Sequence, residues 1–150
     1  MSQYGLDVAS NHGATLPEFS SVAEAERTLH GERDSIITAL CNELGQSLNL
    51  DYSPDSLKRL EQWFFENGSP DRLQRGVPVA KAMAVYFGEV LCRHGKFKWI
   101  VKEFAFAKNR YELGVSKEFC SIMLTNHRRP TLANNKRKQS LWREFSKYVS

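Results

Sequence analysis

The sequence predicts an α+β fold: N-terminal helices packed on a three-stranded antiparallel meander, closed by a C-terminal helix. Three observations lead there. Between Ser21 and Cys92, apolar residues recur at helical spacing. After Gly95 the period drops to two. From about Asn135 the helical spacing returns. Helices first, strands next and one helix last is the pattern of helices layered on one face of an antiparallel sheet.

Residues 1–19 are rich in Ser, Gly, Asn and Ala without periodicity and read as a flexible lead, leaving 20–150 as one α+β domain. Ser21 and Glu24 form a capping-box pattern, each side chain answering the other's backbone N–H. The spacing predicts a short helix to about His30, stopped by Gly31, and a second from about Asp34 to Ser47 with Ile36, Ile37, Leu40, Cys41, Leu44 and Leu48 on its apolar side. A third helix opens at "YSPDSLKRL". Ser53 is its N-cap, Pro54 fits the first helical position, and Asp55 complements the dipole. Leu57, Leu60, Trp63 and Phe64 line its buried side, and Gly68 fits a left-handed terminator.

"VPVAKAMAVYFGEVLCRHG" is apolar on most sides between Val77 and Cys92, so this helix belongs in the middle of the domain. Gly88 in its interior costs about 1 kcal/mol against Ala. Such a glycine marks close approach by another backbone or a large ring. Next, "KFKWIVKEF" places Phe97, Trp99 and Val101 on one side and Lys98, Ile100 and Lys102 on the other. "RYELGVS" alternates likewise, "AKNR" is the turn between them, and "EFCSIMLT" supplies a third strand. The closing helix is expected from about Asn135 to Tyr148, with Leu141, Trp142, Phe145 and Val149 as its apolar side.

With 150 residues the chain is large enough for one domain with a sizeable core. No run of apolar residues is long enough to span a bilayer, and the N-terminus has no signal-peptide pattern, so no membrane association is expected. Three cysteines among apolar neighbours, Cys41, Cys92 and Cys120, point to free thiols in a reducing, cytoplasmic setting.

The stretch "AVYFGEVLCRHGKFKW" resembles a group of small uncharacterised bacterial domains in which a Y-x-GE-x-L helix is followed by a turn and a Trp-bearing strand. Tyr86, Gly88, Glu89, Leu91 and Trp99 carry the match, and "NNKRKQSLWREFSKYV" is similar to the closing segment of such domains. The resemblance covers about residues 77–149. It implies a setting near toxin and secretion systems, with use as an immunity or adaptor protein, and it supplies no catalytic residues.

Tyr86, Glu89 and Arg93 form the candidate polar site. One reading is a functional carboxylate held against Tyr86, with a pKa raised by burial. The plainer reading is an i, i+4 ion pair between Glu89 and Arg93, with Lys81 on the same polar stripe. No metal is expected, because Cys92 and His94 are two residues apart and point away from each other on a helix. No cofactor is expected either, since no phosphate-binding loop, dinucleotide fingerprint or nucleophile elbow occurs. These absences favour a non-enzyme.

The strongest charge feature lies elsewhere. Between Asn126 and Lys147 seven cations face one carboxylate, so the rest of a chain with net charge +4 is slightly acidic. Arg128 and Arg129 in the loop ahead of the last helix, with Lys136, Arg137 and Lys138 near its start, concentrate this charge where cations oppose the helix dipole. The segment is therefore the candidate partner-binding surface. A protein partner with an acidic surface is the favoured reading. Nucleic acid, held through its phosphates, is the alternative, and the plainer reading is a solvated loop before the last helix.

Overall fold

The computed structural model describes residues 15–124 and 140–149. Its elements are α1 (Val22–Leu44), α2 (Pro54–Glu66), α3 (Val79–His94), β1 (Lys98–Glu103), β2 (Tyr111–Lys117), β3 (Cys120–Met123) and α4 (Ser140–Val149). The strands form one open antiparallel sheet in the order β1-β2-β3. The fold is α+β: helices, then a meander, then a closing helix.

α1 is one helix where the sequence predicts two. Gly31 lies exposed within it, and a Cβ built there meets nothing within 4 Å. A lone glycine costs a helix only about 1 kcal/mol. Burial on both sides of it outweighs that cost. Ala25 and Leu29 pack with Tyr111 and Leu113 of β2, whereas Leu40 and Leu44 enter the main core. The N-terminal cap also departs from the expected reciprocal pair. Ser21 Oγ accepts from the Glu24 N–H at 3.2 Å, but the Glu24 carboxylate reaches past Ser21 to the backbone N–H and hydroxyl of Ser20.

The end of the expected flexible lead is tied to the sheet. Leu16 is buried, Arg110 donates to its carbonyl at 2.6 Å, Tyr111 N–H donates to Pro17 O, and Phe19 N–H donates to Asn109 O. These contacts fix residues 16–19 against the start of β2; residues 1–14 lie outside the described residues.

α2 begins as its sequence dictates: Ser53 Oγ caps the Ser56 N–H, Pro54 occupies the first turn, and Gly68 takes φ +76° beyond the end. α3 crosses the centre of the domain, with Val79, Ala82–Gly88, Val90 and Leu91 all buried. In the sheet, Trp99 pairs with Val115 and Val101 with Leu113, so these side chains share the face turned to the helices. Gly88 leaves room for that packing. A Cβ there would lie 2.6 Å from Cη2 of Trp99 and would also overlap Cδ1 of Leu124. The ring approach expected at this glycine is that of Trp99.

α4 is described from Ser140, and the part of the predicted helix before it lies outside the described residues. It is held by α2. The Glu61 carboxylate, 2% exposed, accepts from the Leu141 N–H at 2.8 Å, and the Lys58 ammonium lies 4.1 Å from the centre of the Trp142 ring. A carboxylate at a helix N-terminus meets both the free N–H groups and the positive end of the dipole. Among the described residues no helix is long and apolar enough to cross a membrane.

Candidate functional site

The polar stripe of α3 meets the loop before α2 and the first strand. Tyr86 is fully buried. Its hydroxyl lies 2.6 Å from Ser56 Oγ and accepts from the Tyr52 backbone N–H at 2.9 Å. Ser56 Oγ also lies 2.6 Å from the Ser53 carbonyl, and a carbonyl only accepts. The one serine proton therefore goes to Ser53 O, and the tyrosine proton goes to Ser56. Burial holds the Tyr86 phenol above its ordinary pKa, partly offset by the bond its oxygen accepts from the Tyr52 N–H.

Tyr52 stacks on Tyr86 with ring centroids 5.3 Å apart, and the Arg93 guanidinium lies over the Tyr52 ring at 3.7 Å. The Tyr52 backbone stands at φ +63°. For an aromatic residue this left-handed conformation costs about 1–2 kcal/mol. The stacked rings and the bond to the Tyr86 hydroxyl hold it there. The Tyr52 hydroxyl lies 3.6 Å from the Cys41 sulfur. Burial, followed by the Cys41 contact, pushes this phenol up as well.

Glu89 faces a different neighbour. One carboxylate oxygen is 3.6 Å from Arg93 Nε and the other accepts from Trp99 Nε1 at 3.4 Å. The guanidinium of Arg33 lies over the Trp99 ring at 5.0 Å. Tyr86, Glu89 and Arg93 thus belong to one cluster, but the Tyr86 hydroxyl is engaged by α2 and the preceding loop. Arg93 links the two halves, through its charge to Glu89 and through the Tyr52 ring to Tyr86. Cys92 beside them is a poor nucleophile, because burial, reinforced by the Glu89 carboxylate, pushes its thiol up to about 12. Among the described residues no group of three or more His, Cys, Asp or Glu is placed to hold a metal ion.

Sequence reading missed Tyr52 and Ser56. Neither carries a local signal. Tyr52 reads as a residue in a turn, and Ser56 as a helix-start serine. Their role arises from packing against Tyr86, 34 and 30 positions away.

The expected partner-binding residues Arg128, Arg129, Lys136, Arg137 and Lys138 lie outside the described residues. Their chain neighbours on both sides are fixed. Leu124 is buried and its N–H donates to Leu113 O at 2.9 Å; Leu141 is buried and held by Glu61.

A family model matches residues 18–149, which takes in every described helix and strand. The chain belongs to the family described as uncharacterised protein YwmA. This agrees with the resemblance to small uncharacterised domains drawn from the sequence. No curated protein and no solved structure matches the chain.

Proposed function

We propose that this member of the YwmA family is a non-enzymatic, cytoplasmic protein-interaction module that uses its cation-rich segment to meet an acidic partner. The observation that carries this reading is the unequal use of polar groups. Tyr86, Glu89 and Arg93 spend their hydrogen bonds and charges on Ser56, Tyr52, Trp99 and one another. Five cations between Arg128 and Lys138 have no carboxylate in the same stretch and sit between two buried anchor points. Such a charge cluster speeds encounter with an oppositely charged surface. The resemblance to domains near toxin and secretion systems adds an immunity or adaptor role to this proposal.

Nucleic acid is the second reading, favoured by the density of cations alone. The test is a pull-down from the native host with and without nuclease, followed by binding kinetics for the variant Arg128→Glu, Arg129→Glu, Arg137→Glu. An acidic partner retained after nuclease, with an association rate that drops about tenfold or more in the variant at unchanged Tm, supports the module. Recovery that collapses with nuclease, and affinity that falls by orders of magnitude between about 50 and 200 mM salt, moves the protein to the nucleic-acid class.

A further inference from the structure

An open groove runs between the middle of α1 and the loop that leads into α3. Its larger section holds about 700 Å³ and lies between Gly31 and Ile36 of α1 and Arg75, Val77, Pro78 and Lys81 on the other wall. A second section of about 300 Å³ shares Ser35 and Arg75 and continues along α1 past Thr38 to Asn42. We propose that this groove docks a carboxylate-bearing segment of a protein partner in extended form. The inference deepens the interaction-module reading and rests on it.

The groove is preformed. Its loop wall is tied by Leu73 N–H to Val77 O, Gly76 N–H to Leu73 O and Val79 N–H to Asp71 O. Arg72 donates to Gly76 O, and the Gln74 N–H donates to the Glu43 carboxylate of α1 at 2.8 Å. Arg75 is thus presented by a held loop, and Lys81 by the first turn of α3.

Neither cation has an ion-pair partner among the described residues, whereas Asp34 of the smaller section is paired with Arg33 at 2.9 Å. Glu32 is the one acid lining the larger section. Ile36, Val77 and Pro78 supply apolar surface in the same section. Two cations and three apolar residues lining one groove match a peptide that combines carboxylates with an apolar anchor. The groove is open along its length, which suits a chain segment better than a small molecule that must be mostly enclosed.

Gly31 adds an independent argument. It weakens the exposed middle of a long helix, and no neighbour needs the space, since a Cβ there meets nothing within 4 Å. What the missing side chain does provide is a bare stretch of helix along the groove wall.

The test uses the full chain. Peptides are selected from a random phage-displayed library on the immobilised protein, and their affinities are then measured for four proteins: wild type, Gly31→Leu, the pair Arg75→Glu with Lys81→Glu, and the basic-segment variant Arg128→Glu, Arg129→Glu, Arg137→Glu. The expected result is enrichment of acidic peptides with an apolar residue. Their affinity should fall about tenfold or more in both groove variants and hold in the basic-segment variant. Gly31→Leu should at the same time raise the Tm by about 3 °C. Gain of stability with loss of binding is a pairing that damage to the fold does not produce. Selected peptides that lose affinity only in the basic-segment variant overturn the groove and leave the module standing. A library that yields no acidic peptide overturns the groove inference, and the module then depends on the pull-down alone. Displacement of the peptides by a single-stranded oligothymidine that itself needs Arg75 and Lys81 overturns the peptide occupant in favour of nucleic acid.

Discussion

The two ends of α3 carry the same polar stripe and use it in opposite ways. At the C-terminal end, Glu89 and Arg93 are knotted to Trp99 and Tyr52, and Tyr86 is closed off by Ser56. At the N-terminal end, Lys81 stands at an open groove beside Arg75, without an ion-pair partner among the described residues. The residues that look most like a catalytic cluster in sequence are the ones the fold consumes. The lone lysine that reads as ordinary surface is the one with capacity left. A polar group inside a domain is held by what satisfies it, so chemistry available to a partner is found where satisfaction stops.

That contrast is breakable by substitution. Tyr86→Ala should cause the greatest loss, about 3–5 kcal/mol, because it removes a fully buried ring and strands Ser56 and the Tyr52 N–H. Urea unfolding reads it directly. A native-like midpoint for Tyr86→Ala would mean that the cluster is not structural.

Gly88→Val comes next, at about 1–3 kcal/mol, since the added carbons must displace Trp99 or Leu124. The near-ultraviolet circular dichroism of the tryptophans should change with it; an unaltered spectrum at wild-type stability contradicts the close packing.

Glu89→Gln should cost no more than about 0.5 kcal/mol, as expected of one partly exposed ion pair. A much larger loss would restore Glu89 as a group under special demand.

The smallest effect is a pH response at His30. Arg33 donates to its Nδ1 at 2.8 Å, because a guanidinium has only donors to offer. Burial, then the Arg33 charge, holds the imidazole pKa below its usual value, against the opposing pull of Glu26 and Asp34. The folded protein therefore takes up this proton less readily than the unfolded chain. Stability contributed by neutral His30 is complete above the ordinary histidine pKa, near 6.5. It declines as pH falls through that value toward the lowered one. Thermal melts between pH 7.5 and 5 should show a shallower decline for His30→Gln than for wild type. Parallel curves would remove His30 from the account.

The sequence made the order of elements, the three strands and the ring packed on Gly88 readable, because each rests on local period or on one residue's absent side chain. Gly31 misled it. A glycine stops a helix only when nothing on either side holds the chain helical, and here Leu29 and Leu40 are anchored in separate clusters. The candidate site was half legible. Tyr86, Glu89 and Arg93 lie on one helix and share a visible stripe, whereas Tyr52 and Ser56 join them only through tertiary folding. The groove gave no sequence signal at all, since Arg75 and Lys81 are ordinary surface cations until the loop ahead of α3 is seen pinned to α1.

The unbroken α1 has a consequence for how the molecule opens. At 1.5 Å per residue its 23 residues form a rod about 34 Å long. One end is embedded in the sheet-side cluster and the other in the main core. Separate clusters joined by a loop can melt one at a time, each with its own opening free energy. Clusters joined by a helix share a ladder of amide bonds, and breaking either one frays the rod toward the other. Slowly exchanging amides near Ala25 and Leu29 should therefore have opening free energies close to those near Leu40 and Leu44, so that both ends of the rod exchange as one cooperative unit.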